Sequence, residues 1–381
     1  MKKKYLLAPG PTPVPPEVLT AMAMPIIHHR SPEFVPILEE AKNNLKWLFQ
    51  TRNDVLMLVS TGTGGMVASV TNFLSPGDKA ICVRGGKFGE RWTEICEAYG
   101  VVPVNIDVEW GRAVKPELIE KALKKDPSIK AVMIQASETS TGVMHDTEAI
   151  GRIVKKHKDT IFIVDAITAL GVVDLPVDKW SVDVCVTGSQ KALMLPPGLA
   201  FVSVSDKAWE MSKTAKCNKY YFNLPKERKK LADNQTNFTS ASSLVVGLNV
   251  ALRMMKEEGL ENMFARQARL AEACRAGAKA MGLKLYAKES PSTALTAIQV
   301  PEGIDGGKLT KLMRDKYGVT VAGGQAELKG KIFRIAHLGY FNTFDIIIGL
   351  SCAEMALKEL GWSKVKFGKA TAAAEEILMK F

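Results

Sequence analysis

Ile161-Phe-Ile-Val-Asp-Ala166 is an unbroken apolar run closed by an aspartate, and Lys191 follows twenty-six residues after Asp165 in Thr187-Gly-Ser-Gln-Lys-Ala-Leu193. Apolar runs of strand length recur at 55–61, 79–85, 101–108, 130–137, 182–188 and 199–205. Helical patterns separate them for much of that length, so the alternation predicts an α/β fold: a mainly parallel seven-stranded sheet covered by helices. Polar and glycine-rich residues come directly after the strands, at the carboxyl edge where open α/β sheets bind ligands. Toward the C-terminus, a long helical stretch from about Ser242 to Met281 is interrupted near Gly259, then strand patterns at 295–301 and 332–336 accompany helices around 305–318 and 344–360. The expected organisation is an N-terminal arm at 1–15, a large domain at 16–260 and a smaller C-terminal α+β domain at 261–381, with the arm packing near the domain junction.

An aspartate that closes a buried strand can be a simple cap, and one lysine among 51 Lys and Arg residues is ordinarily solvated surface. As a pair at a sheet edge, Asp165 and Lys191 suit pyridoxal 5'-phosphate. The aldehyde of that cofactor condenses with a lysine amine, and its ring accepts electrons only while the pyridine nitrogen stays protonated, which a buried carboxylate enforces. Ser60-Thr-Gly-Thr-Gly-Gly65 follows the strand Val55-Leu-Met-Leu-Val59 and opens a helical pattern beginning at Met66. Free N–H groups and the positive dipole end at such a start can hold a phosphate, with Thr63, Gly64 and Gly65 as the cup. The loop is not G-x-G-x-x-G and lacks a Gly-Lys-Ser/Thr ending, which weakens a dinucleotide or ATP reading and leaves a plain glycine turn as the other choice.

Further stretches fall in order: Leu6-Leu-Ala-Pro-Gly-Pro-Thr-Pro13, Gly86-Lys-Phe-Gly-Glu-Arg91, Glu138-Thr-Ser-Thr-Gly142, Val164-Asp-Ala-Ile-Thr-Ala-Leu-Gly171, Ser189-Gln-Lys-Ala-Leu-Met-Leu-Pro-Pro-Gly198 and Phe333-Arg-Ile-Ala-His-Leu-Gly339. With the glycine loop, they make the chain resemble, nearly end to end, the class V, fold type I aminotransferases. The resemblance is greatest to the alanine-glyoxylate and serine-pyruvate aminotransferase group. It implies that Phe88 lies flat on the cofactor ring, that Thr139 bonds the ring's phenolic oxygen and that Gln190 reaches the phosphate. It also implies that Arg334 grips the substrate α-carboxylate with its planar fork. Gly10, between two prolines, would bring backbone close to the substrate from the other side. Lys191 would act as both anchor and general base, with Asp165 stabilising the ring that takes up the carbanion charge. The implied activity is a ping-pong transfer from a small amino acid such as alanine or serine to a small 2-oxo acid such as glyoxylate or pyruvate.

The resemblance further implies a homodimer with the site at the interface, where Asn234-Gln-Thr-Asn-Phe-Thr239 crosses to the neighbour's phosphate through Thr239, or alternatively Thr236. This chain departs from its relatives there, with Ser240 where a proline is common, and at Gly65 and Met66, where a histidine can stand; stacking then falls mainly on Phe88. A cysteine desulfurase needs a nucleophilic cysteine shortly before the substrate arginine, and Tyr317 to Phe333 contains none. Desulfurases and kynureninases usually carry a histidine where this chain has Gln190. Two alternatives stay open: a non-catalytic or accessory subunit built on the same fold, and a lyase using the same cofactor. His337 lies near Arg334 and reads as a satisfied loop histidine, while His28, His29 and Arg30 are left outside the core site.

The remaining composition fits a large soluble enzyme, with 381 residues, 46% of them apolar and 24% charged. The formal net charge of +11 is spread out, and its densest runs, Lys2-Lys-Lys4 and Lys226-Glu-Arg-Lys-Lys230, lack interleaved aromatics. A solvated basic face that attracts anionic substrates is therefore expected rather than nucleic-acid binding. No stretch has the length of a membrane span and the N-terminus lacks the apolar core of a signal peptide. Six cysteines form no C-x-x-C pair and the histidines have no metal-ligand spacing, so reduced thiols in a cytoplasm and no metal are expected.

Overall fold

Residues 3–380 are described by a computed structural model, so Lys2 of the basic N-terminal run lies outside the described residues. The expected sheet is present, in the order Val55–Ser60, Gly198–Val204, Val184–Gly188, Ile161–Asp165, Ala131–Gln135, Lys79–Arg84 and Val102–Asp107. Every residue of the Ala131–Gln135, Ile161–Asp165 and Val184–Gly188 strands is buried. Their continuous apolar character follows from cover on both faces. All neighbouring pairs are parallel except those made by Gly198–Val204, which runs antiparallel to both of its neighbours. Its direction has a local cause: the connection 189–197 is shorter than the roughly dozen residues that a parallel crossover needs. The chain must reverse at the carboxyl edge, and this reversal carries Lys191 back beside the end of the Asp165 strand.

The helix Gly62–Phe73 packs on the sheet, and Gly65 faces the strands Val184–Gly188 and Gly198–Val204. A Cβ there would stand 2.6 Å from Val186 Cγ1. A second core is built on an antiparallel sheet with Ile332–Ala336 at its centre, flanked by Leu295–Gln299 and Ala322–Gly323. The helices Leu260–Ala280, Thr343–Glu359 and Lys369–Leu378 cover it. The helical stretch expected to break near Gly259 does so, into Ser242–Glu258 and Leu260–Ala280, with Gly259 at φ 80. The sequence reading did not name the helices Pro16–Met22 and Phe34–Phe49 ahead of the first sheet strand, nor the alanine-rich Lys369–Leu378, nor the two-residue strands, which are too short to show a period.

The N-terminal arm joins the two cores. Tyr5–Leu6 pairs in parallel with Val319–Thr320, and Leu7 is buried in the second core. The arm then reaches the lysine loop, where Thr12 N–H donates to Gln190 O at 3.2 Å and Thr12 Oγ1 to Lys191 O at 2.9 Å. No described helix is long and apolar enough to cross a membrane. All six cysteines are buried and free.

Candidate active site

A cavity of about 230 Å³ opens at the carboxyl edge of the large sheet, with Asp165 and Lys191 in its wall. Asp165 ends its strand and is only 5% exposed, with Oδ1 accepting the N–H of Ile167 at 2.9 Å. Burial pushes its carboxyl up to about 7 despite that bond, and the charge of Glu138 acts in the same direction. Burial also lowers the Lys191 amine, to about 8, against the pull of Asp165 and with the help of Arg334 and Arg91. An amine brought that low has a useful neutral, nucleophilic fraction near neutral pH. Lys191 Nζ donates to Pro9 O at 2.6 Å. Gly10 sits against the same amine, with φ +148, and a Cβ there would overlap Lys191 Nζ. Only glycine lets the arm come this close.

The start of the Gly62–Phe73 helix forms another wall. Gly64 N–H and Gly65 N–H turn back to Thr61 O at 2.8 and 3.3 Å, while Gly62 and Thr63 line the cavity, their N–H groups without a protein acceptor among the described residues. Of the expected cup, only Thr63 faces the cavity; the helix opens earlier than its sequence suggested, so its free donors are shifted to Gly62 and Thr63. Gly64 and Gly65 are packing positions, against Ser60 and Val186. Gln190 lines the cavity, and its Oε1 is buried with no hydrogen-bond partner.

Phe88 faces the cavity from the first turn of the helix Lys87–Ala98. Arg91, one turn on, lies 4.9 Å from the Phe88 ring centroid, and its Nη1 donates to Thr63 Oγ1 at 3.2 Å. On the opposite wall Thr139 Oγ1 pairs with Thr168 Oγ1 at 2.8 Å, and Thr168 donates onward to Ser137 O at 3.2 Å. Arg334 stands at the centre of the small sheet and is 4% exposed. Its Nη1 donates to Thr139 O at 2.8 Å, and Nε and Nη2 donate to Gly323 O at 3.2 and 2.7 Å. None of these acceptors is a carboxylate, and one N–H on each terminal nitrogen remains uncommitted. Burial lowers the guanidinium to about 10, against the charge of Glu138. A buried guanidinium with N–H groups to spare is able to take both oxygens of a carboxylate.

A family model described as aminotransferase class-V matches residues 4–337. The chain belongs to the class V aminotransferases. It is 47% identical over 380 residues to a protein named soluble hydrogenase, small subunit, from Synechococcus sp. (strain PCC 6716), covering 99% of this chain and 98% of that one. It is 38% identical to the L-aspartate--glyoxylate aminotransferase of Paracoccus denitrificans (strain Pd 1222), over 97% of this chain and 95% of the relative. Among solved structures it is similar to ureidoglycine-glyoxylate aminotransferase from Bacillus subtilis, with a TM-score of 0.95, 31% identity and coverage of 99% and 98% of the two chains.

Other expected positions in this class V aminotransferase lie elsewhere. Thr239 and Thr236 line a separate small cavity with Phe238 and Glu227, and Thr236 Oγ1 donates to Phe238 O at 2.7 Å. His337 is fully buried: Nδ1–H donates to Thr293 O at 2.5 Å, which leaves Nε2 to accept from Thr296 Oγ1 at 2.9 Å. Burial drives its imidazole down to about 3, so it is a neutral structural side chain. His28 and Arg30 are exposed, and neither they nor His29 lines the cavity. Sequence reasoning gave no role to Thr61, Gly62, Arg91, Ser137, Ile167 and Thr168, although all line the cavity. Each lies within or beside a stretch already recognised by its motif.

Proposed function

We propose that this transaminase uses pyridoxal 5'-phosphate to move an amino group from a small amino acid, alanine or serine, to a small 2-oxo acid, glyoxylate or pyruvate, in a ping-pong sequence. The observation that carries the reading is Lys191, an amine of lowered basicity that shares a cavity wall with the buried Asp165 and feels the charge of Arg334, a buried guanidinium with N–H groups to spare. The residues fit the cofactor. Gly62 and Thr63 offer unengaged N–H groups for a phosphate, Gln190 has a buried Oε1 without a partner, and the cavity beside Asp165 and Lys191 is lined by Phe88 and Thr139. When bound, the cofactor supplies an electron sink for the α-carbon.

The protein's own part is binding and proton movement. Arg334 would hold the α-carboxylate of the donor, with Gly10 limiting its approach from the arm side. Lys191, released from its covalent role, would take the α-proton and return it one position along, and Asp165 would keep the ring nitrogen protonated. Phe88 would stack on the ring, Thr139 would turn its hydroxyl from Thr168 to the phenolic oxygen, and Thr63 and Gln190 would serve the phosphate. Gly64 and Gly65 would support that loop through packing. The relatives named as aspartate-glyoxylate and serine-glyoxylate aminotransferases support glyoxylate as acceptor. We further propose a cytoplasmic homodimer in which Thr239, or Thr236, reaches the neighbouring subunit's phosphate, and a division of the chain into arm 1–15, large domain 16–260 and small domain 261–381.

Two relatives at 47% identity, named as hydrogenase subunits, favour a second reading: an accessory subunit without catalysis. Mixing the protein with alanine or serine and glyoxylate separates the two. Glycine and the donor's 2-oxo acid in equal amounts are expected, whereas no turnover by a cofactor-loaded protein with any small donor would favour the accessory subunit. Loss of a fragment from the donor would indicate a lyase.

A further inference from the structure

The helix that carries Phe88 has no cap of its own. Its N-cap residue is Gly86, and no side chain of the same segment meets the first turn. The cap arrives instead from residues about fifty positions later. Lys87 N–H donates to Ser140 Oγ at 3.0 Å, Phe88 N–H to Glu138 Oε1 at 3.4 Å and Gly89 N–H to Glu138 Oε2 at 2.9 Å. Ser140 closes the arrangement by donating both its N–H, at 3.0 Å, and its hydroxyl, at 2.5 Å, to Glu138 Oε1. Gly86 is glycine for a matching reason, since a Cβ there would come within 2.5 Å of both the Glu138 carboxyl carbon and Ser140 Oγ.

Glu138 has no exposed surface, and its carboxyl accepts four hydrogen bonds from three residues, Phe88, Gly89 and Ser140. Burial pushes the Glu138 carboxyl up, and the four bonds it accepts, together with the helix N-terminus, act in the opposite direction. The same residue fixes the turn that follows it. Glu138 O accepts Gly142 N–H at 2.8 Å and Thr141 N–H at 3.2 Å, and the enclosed Thr139 offers its carbonyl to Arg334 and its hydroxyl to the cavity.

We infer that Glu138 is a positioning residue that sets two things at once: the height of Phe88 over the cofactor ring and the placement of Arg334 through Thr139. It rests on the function proposed above. No other described side chain is hydrogen-bonded both to the segment bearing Phe88 and to the turn bearing Thr139 except Ser140, which is its own donor. The arrangement ties the cofactor-stacking wall to the substrate-carboxylate wall, so disturbing it moves both.

The test compares wild type, Glu138→Gln and Ser140→Ala, each prepared without cofactor and titrated with pyridoxal 5'-phosphate. Read out are cofactor affinity, visible circular dichroism per bound cofactor, and KM against kcat for the donor. Glu138→Gln forces one amide N–H against a donor, and is expected to weaken cofactor binding about tenfold, reduce the visible dichroism and raise the donor KM more than it lowers kcat. Ser140→Ala keeps the Glu138 carboxyl and should show the same pattern at a smaller size, so it serves as the test if Glu138→Gln does not fold. Variants that lose only thermal stability, with bound-cofactor dichroism and donor KM at wild-type values, would overturn the inference and leave Glu138 a fold residue. A wild type that binds no cofactor would instead defeat the proposed function, an outcome distinct from this one.

Discussion

Asp165 and Lys191 were legible because their chemistry is carried by residue type and by position at the ends of apolar runs. Glu138 was not, although its motif was quoted, because its meaning depends on donors that arrive from Lys87–Gly89 only after folding. The carboxyl of Asp165 stands at about 7 in the folded protein against 3.8 as its ordinary value. The folded state therefore holds the proton more tightly, and the stability this group contributes is complete below about pH 4 and lost as pH rises through 7. In cofactor-free protein, the loss from Asp165 should be on the order of 3 kcal/mol between pH 4.5 and 7.5, and Asp165→Asn should remove it. Urea unfolding at the two pH values checks this; parallel slopes for the two proteins would contradict it. Arg334→Lys keeps the charge but loses the planar fork, and the donor KM should rise about 30-fold, equivalent to about 2 kcal/mol, with a smaller change in kcat. Steady-state kinetics with the preferred donor decides that, and an unchanged KM would remove Arg334 from the substrate site.

From the first sheet strand onward, most of the longer strands and helices were readable, and their alternation pointed to the sheet, whereas the helix Phe34–Phe49 ahead of it was not named. Among the strands, what escaped was set by length: Tyr5–Leu6, Val319–Thr320 and Ala322–Gly323 are pairings of two residues, formed because the cores on either side bring them together. The glycine loop shows a subtler limit. Its composition announced an anion-binding helix start, but Gly64 and Gly65 serve packing and lie one step inside the helix, while the unengaged donors belong to Gly62 and Thr63. A substitution separates these roles. Gly65→Val should push the Gly62–Phe73 helix off Val186 and cost about 1–3 kcal/mol through overpacking. Thr63→Ala should leave stability nearly unchanged while weakening cofactor binding. Thermal melts and cofactor titrations of the pair check both halves, and a Gly65→Val protein as stable as wild type would show that the helix can shift without cost.

The two cores meet at the lysine loop, where the N-terminal segment paired with Val319–Thr320 passes Gly10 across Lys191 and Thr12 bonds Gln190 and Lys191. Substrate and cofactor groups would thus be held by different bodies, the phosphate loop, Asp165 and Lys191 by the large sheet and Arg334 by the small one. The proposed dimer predicts a solution mass twice that of the 41.6 kDa chain, measurable by light scattering, and a monomer that transaminates at full rate would remove Thr239 from the site. The central claim, that Lys191 is the covalent anchor of a transaminating cofactor, is tested by the visible absorbance of the purified protein supplied with pyridoxal 5'-phosphate, followed through separate additions of alanine, serine, aspartate and glutamate. A visible band that is lost as a lysine-linked species in Lys191→Ala, and that one donor bleaches with equimolar release of its 2-oxo acid, is the predicted result. A wild-type protein that develops no such band with the cofactor in excess would contradict the account.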